Sequence, residues 1–236
     1  APLAKLIESS YGGDNDYKAE MLEKYKLYSK YIYNYRSVKG DGNCYYRAVI
    51  FRYIEILLLE RQISLLKDVI YDMYNCFYNE EITKRKNIKM NTIFKPELPL
   101  KIMLLIINIL ENHNDLKLAY LIFIKSVLIC PIFDFGLRFY LRFIFYEYSK
   151  FLFDEFYKNY LLKMFTDAEK IIIYLTPFIL GINLDIILFE DKESELIQKL
   201  RCEEEDKIIF KNNIFLMNKK NHYELLYSSK ENEEYQ

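Results

Sequence analysis

The apolar pattern of this chain changes its period once, at Gly181, and that change limits the folds open to it. Over residues 63–181 apolar positions recur mostly at helical spacing, with breaks predicted at Pro96 and Pro99, at residues 112–115 and at Pro131. Past Gly181 the segments 182–189, 213–217 and 222–227 are short and rich in apolar residues. Turn residues at 218–221 separate the last two, so a hairpin is predicted with His222 opening its second strand. Ahead of the helical stretch, Tyr17, Met21, Leu22, Tyr25 and Tyr28 share one face of a helix predicted over about residues 16–30, and another helix is predicted to begin at Cys44. The run TDAEKIIIYLTPFILG has Thr166 and Glu169 at capping-box spacing, Pro177 where a helix kinks or shortens, and Gly181 as its stop. Helices first and a small sheet last is an α+β order.

With 236 residues, 52% of them apolar, the chain can bury one sizeable core, and no repeat, low-complexity linker or Pro/Gly/Ser-rich boundary divides it. A single domain over residues 1–236 is expected, with the charge-rich stretches 79–89 and 190–206 on its surface. Basic residues number 33 and acidic residues 34, a balance that argues against a nucleic-acid protein held by a general basic field. The longest apolar stretches, 102–110 and 118–133, fall short of the roughly 20 residues a membrane helix needs, and the second carries Lys125. They are expected to be core helices. Cys44, Cys76, Cys130 and Cys202 lie far apart with no CxxC or Cys/His cluster, and the first residues lack a basic start followed by an apolar run. The expectation is a reduced setting, cytoplasm or nucleus, with no metal site and no cofactor.

One of these cysteines has an unusual neighbourhood, KGDGNCYYRA. Gly40 and Gly42 let the backbone turn tightly and approach a ligand. The first N–H groups of the helix that follows point outward, and its positive end favours the thiolate of Cys44 over the thiol. The N–H groups of Asp41, Gly42, Asn43 and Cys44 are also placed to hold an oxyanion formed when that thiolate attacks a carbonyl. Cys44 is therefore the candidate nucleophile, and it needs a base. Of the two histidines, His113 lies in the polar break ENHND and reads as a surface loop residue. His222 opens HYELLY, where Glu224, two residues on, shares its strand face and can accept from one imidazole nitrogen. The same residues also fit a histidine that ends a strand beside a solvated glutamate.

Taken together, the two ends resemble the otubain branch of the OTU (ovarian-tumour) cysteine proteases, which cleave ubiquitin from lysines of other proteins. The family's Asp-Gly-Asn-Cys, aromatic, Tyr-Arg-Ala motif stands here as Asp41, Gly42, Asn43, Cys44, Tyr45, Tyr46, Arg47 and Ala48. Its His-Tyr-Asp/Asn-Ile-Leu-Tyr block stands as His222, Tyr223, Glu224, Leu225, Leu226 and Tyr227. Weaker likeness spans nearly the whole chain. The resemblance implies a papain-like α+β fold of OTU type, mostly helical with a small central β-sheet. It implies Cys44 as nucleophile, His222 as base, Asp41 shaping the oxyanion loop and Glu224 in the third position, without metal or cofactor. Glu224 departs from the usual Asp or Asn, so a longer side chain must fold back to the imidazole, and Asn221 stands where the family often has Gly.

The function implied is a monomeric, thiol-dependent deubiquitinase whose partner is ubiquitin, polyubiquitin or a ubiquitin-like modifier, with no nucleic acid and no membrane. The alternative is a module that binds ubiquitin or its conjugating enzyme without cleaving anything. Glu190, Asp191 and the acids of 203–206 are candidates, by sign, to meet the arginines of ubiquitin's tail.

Overall fold

A computed structural model describes residues 19, 23, 32–79, 95–151, 155–188, 197–202, 213–219 and 222–228. The chain forms two compact units: residues 41–168 make one, and residues 1–40 with 169–236 make the other.

The first unit is helical. It contains α1 (Cys44–Leu59), α2 (Ile63–Tyr78), α3 (Glu97–Asn108), α4 (Leu116–Ile129), α5 (Pro131–Ser149) and α6 (Glu155–Leu162). Helix α1 is buried nearly all round, which a helix tolerates only at the centre of its unit. It packs against α2, α4 and α5. Its one buried ion pair, Arg52 Nη1 to Glu55 Oε2 at 2.8 Å, is completed by the Tyr120 hydroxyl, which donates to Glu55 Oε1 at 2.7 Å. Phe123 from α4 stacks on Phe51 of α1 with ring centroids 5.2 Å apart and meets Phe133 of α5 edge to face.

The predicted breaks at residues 112–115 and at Pro131 are present; α3 starts directly after Pro96, and Pro99 lies inside its first turn without breaking it. A π-helical turn, Ile109–His113, ends α3, Asn114 takes the left-handed conformation (φ 53°), and Asp115 caps α4 by accepting from the Leu118 N–H. Pro131 opens α5, where its missing N–H costs no helical bond. No single described helix is long and apolar enough to cross a membrane, and α4 and α5 are bent by 95° where they meet.

The second unit is a five-stranded sheet fed by α7 (Lys170–Leu180). Gly181, at φ 61°, ends α7 as predicted, and β2 (Asn183–Leu188) follows at once. The strands β1 (Ile32–Arg36), β3 (Ile197–Leu200), β4 (Asn213–Lys219) and β5 (His222–Ser228) complete the order β1-β5-β4-β2-β3. Only the β2–β4 pair is parallel. The predicted hairpin is β4–β5, with Met217 opposite Glu224 and Lys219 opposite His222, so its turn is tighter than 218–221.

Three features differ from the sequence reading. Thr166 and Glu169 do not form a capping box: α7 starts at Lys170 with no side-chain cap, and the Thr166 hydroxyl donates to the Lys163 carbonyl instead. Two strands, β1 and β3, were not expected, because IYNYR and IQKL are short and polar enough to read as connections. Both are edge strands, where short length and polar side chains discourage pairing with other chains. The helix predicted over 16–30 lies outside the described residues except at Ala19 and Glu23, and the charged stretch 79–89 does so except at Asn79.

Candidate active site

Cys44 is the first residue of α1, as its sequence setting implied. The loop ahead of it turns at Gly42, which has φ +73° and faces the Phe165 carbonyl so closely that a Cβ there would lie 2.6 Å from the oxygen. No side chain fits, whichever rotamer it takes. Asn43 occupies the N-cap position yet caps nothing. Its Oδ1 instead accepts from Arg142 Nη2 at 3.0 Å and from the Phe165 N–H at 3.1 Å, and it is fully buried. The Asn43 N–H donates to Asp41 Oδ1 at 3.2 Å, which removes it from the four N–H groups nominated for an oxyanion.

Asp41 supports this loop through charge. Its carboxylate receives both terminal nitrogens of Arg47, at 3.0 and 2.8 Å, and Arg47 also grips Asp134 of α5 at 2.9 and 3.2 Å. Arg138, one turn further along α5, donates to the same Asp134 at 2.7 Å. Burial would push the Asp41 carboxyl up, but Arg47, Arg138 and the Asn43 N–H outweigh it and hold the carboxyl at about 2. Burial would likewise lower Arg47, and its two aspartates keep it above its ordinary value.

The histidine stands in the sheet unit. His222 Nε2 lies 3.0 Å from Glu224 Oε1, so the extra methylene of Glu224 is accommodated and the carboxylate reaches the ring. Glu224 is held from behind: the Val38 N–H donates to Oε2 at 2.6 Å and the Ser37 hydroxyl to Oε1 at 3.4 Å. At 6% exposure it is no solvated surface acid, and that alternative falls. With Nε2 turned to Glu224, the tautomer that donates there leaves Nδ1 as the basic nitrogen. Beside that nitrogen sits Gly40, whose Cβ, if it had one, would come within 3.2 Å of Nδ1.

Sequence reasoning missed two contributors. Residues 37 and 38 follow β1, which pairs antiparallel with β5 (Arg36 opposite Leu225), and this unexpected edge strand delivers the backbone donor to Glu224. Arg142 was also missed, although α5 carries Asp134, Arg138 and Arg142 at four-residue intervals in a mostly apolar helix, a charged stripe on one face. His113 is exposed at the end of the π turn, as expected of a surface residue. Asn221 and the acids at 190, 191 and 203–206 lie outside the described residues. Among the described residues no group of three or more His, Cys, Asp or Glu side chains is placed to hold a metal ion.

The arrangement matches a known family. The sequence model described as Peptidase C65 Otubain matches residues 2–228. Among solved structures the chain is similar to h/ceOTUB1 in complex with ubiquitin aldehyde and UBC13~Ub, at 20% identity and TM-score 0.66, covering 97% of this chain and 89% of that one. It is also similar to ceOTUB1 in a ubiquitin aldehyde UBC13~Ub complex (19%, TM-score 0.65, 97% and 92%). The h/ceOTUB1 complex with ubiquitin aldehyde and UBCH5B~Ub gives 19%, TM-score 0.64, 97% and 88%. At such identities the likeness establishes the fold, an α+β fold of the OTU type. No curated protein sequence matches significantly.

Proposed function

This chain belongs to the otubain family of cysteine peptidases, a family of deubiquitinases, and we propose that Cys44 and His222 carry out its isopeptidase reaction on ubiquitin conjugates. His222 Nδ1 takes the proton of the Cys44 thiol, and the thiolate attacks the carbonyl carbon of the modifier's last glycine. The oxygen becomes an oxyanion facing the loop of residues 41–44. The imidazolium then gives its proton to the departing lysine Nζ as the C–N bond breaks, leaving a thioester on Cys44. Water, deprotonated by His222, cleaves the thioester and restores the thiol.

Each named side chain has a role fitted to its surroundings. Glu224 fixes the ring through Nε2 and faces the imidazolium as it forms. The Asp41 carboxylate, locked by Arg47, holds the loop's turn. The Asn43 carbonyl accepts from the Arg47 N–H at 2.8 Å. Across the planar 43–44 peptide, the Cys44 N–H therefore points the other way, out of the helix's N-terminus and toward where the oxyanion forms.

The observation that carries this assignment is the pairing of half-buried His222 with buried Glu224, backed by a donated Val38 N–H. The ubiquitin aldehyde bound by the similar structures supports ubiquitin, free or in chains, as the modifier. One family match runs across both compact units, which supports a single catalytic domain over residues 1–236. The test is cleavage of isopeptide-linked diubiquitin. Release of monomers by the wild type and none by Cys44→Ala is expected; equal cleavage by Cys44→Ala would refute the assignment, and a wild type that binds diubiquitin intact would make the chain a binding module.

A further inference from the structure

Arg142 is completely buried, and among the described residues none of its hydrogen bonds goes to a carboxylate. Such a position is expensive for a guanidinium, and burial holds its affinity for the proton below the ordinary arginine value. A leucine or methionine would fill an interior helix site more cheaply. What the arginine adds is a planar fork that gathers acceptors from two segments 19 and more residues apart from it. Nη2 donates to the Gly42 carbonyl at 3.5 Å, to Asn43 Oδ1 at 3.0 Å and to the Thr166 carbonyl at 2.5 Å. Nη1 donates to the Leu161 carbonyl and to the Thr166 hydroxyl, both at 3.2 Å. One face of the fork lies on the Tyr46 ring, 3.7 Å from its centroid.

The segment on the far side of this fork is strained. Phe165 has φ +64°, a conformation rarely taken by a bulky residue, although its side chain is 62% exposed and gains nothing from burial there. That backbone conformation turns the Phe165 N–H to Asn43 Oδ1 and sets its carbonyl against Gly42. Strain of this kind persists only where the surroundings over-determine it. Here the surroundings are Arg142 and Asn43.

We propose that Arg142 is a positioning residue for the oxyanion loop: its fork clamps Gly42 and Asn43 to residues 165 and 166, so that the Cys44 N–H and sulphur stay aimed at one point. The inference rests on the peptidase reading above, in which that N–H meets the oxyanion. Two groups fixed by one clamp are pre-organised for the tetrahedral intermediate and add little to binding of the substrate before attack.

The test compares the wild type with Arg142→Lys, which keeps the charge and loses the fork, and Thr166→Val, which removes a single hydroxyl from it. Two rates are measured on the intact protein: hydrolysis of a ubiquitin C-terminal coumarin amide, as kcat and KM, and alkylation of Cys44 by iodoacetamide, which develops no oxyanion. Arg142→Lys is expected to lower kcat by about 100-fold, the scale of losing one oxyanion donor, with KM and the alkylation rate within about threefold. Thr166→Val is expected to show the same split at about fivefold, one contact of several. A kcat that stays near the wild-type value in both variants overturns the proposal, as does a parallel fall of hydrolysis and alkylation, the mark of a merely structural arginine. Should Arg142→Lys fail to fold by circular dichroism, Thr166→Val decides by the same split. A wild type that hydrolyses nothing overturns the peptidase reading itself, whereas an active wild type with unaffected variants overturns only the role of Arg142.

Discussion

The proposed nucleophile and the proposed base of this chain are held in place by different physics. Around Cys44, position comes from side-chain charge inside a helical unit: Arg47 and Arg142 each make several bonds to a four-residue loop. Around His222, which opens the interior strand β5, position comes from one carboxylate that joins the ring to the Val38 N–H and the Ser37 hydroxyl, just past the edge strand β1. The first arrangement is redundant in bonds yet intolerant of backbone change, because Gly42 is closed in by the Phe165 carbonyl. The second is a short series in which Glu224 is the shared link between the ring and residues 37 and 38. Loss of one contact is therefore expected to be graded at the nucleophile and steep at the base.

Substitutions can break this contrast, and the largest effect is expected at Gly42. In Gly42→Ala the new Cβ meets a backbone oxygen at 2.6 Å and the residue sits at φ +73°, so the loop must move. The left-handed conformation alone costs about 1–2 kcal/mol, and kcat is expected to fall roughly 1,000-fold as the oxyanion donors shift. Steady-state hydrolysis together with a melting curve measures both. Next is Glu224→Ala, expected to lower kcat about 100-fold, within the range of general acid–base contributions, with ubiquitin affinity retained in a binding assay. An unchanged kcat there would remove Glu224 from the mechanism.

Val38→Pro sharpens the comparison further, because it deletes the N–H behind Glu224, and Val38→Ala is the control for the buried valine side chain lost with it. The charge-assisted bond lost is worth about 1.5–3 kcal/mol, so a kcat loss of roughly tenfold is expected from the fraction of it that reaches the ring. The smallest effect is expected for Asp41→Asn, and it concerns stability and pH. The folded carboxyl is held at about 2 against its ordinary 3.8, so the stability it contributes is fully present above pH 3.8 and is lost as the pH falls toward 2. For a partly exposed group this amounts to on the order of 1 kcal/mol. Urea unfolding at pH 7 should separate wild type and Asp41→Asn by that amount, and the gap should close near pH 2; a gap independent of pH would refute the linkage.

The same contrast marks what could be read from the chain before its fold was known. The settings of Cys44 and His222, a helix start and a strand start beside Glu224, were legible because their signals are local: two glycines before a helix, and a histidine two residues from a glutamate on a strand. Gly181 was legible for the same reason, since a left-handed helix end calls for that residue. Arg142 was not, because its meaning depends on Asn43, 99 residues away, and a charge in an apolar helix carries no address. Nor was β1, whose five residues become a strand only by pairing with β5 near the other end of the chain. Thr166 and Glu169 had the spacing of a capping box, but Arg142 draws the Thr166 carbonyl and hydroxyl away from the helix. The supports of the site came from tertiary contact and the reacting groups from local sequence.

The central claim is that Cys44, alone among the four cysteines, is the nucleophile of a ubiquitin-directed peptidase. Its most direct test is incubation with ubiquitin carrying a C-terminal electrophile, followed by intact mass and peptide mapping. One ubiquitin per chain, attached at Cys44 and absent from Cys44→Ala, is the predicted result. No adduct with the wild type, or an adduct at Cys76, Cys130 or Cys202, would contradict it.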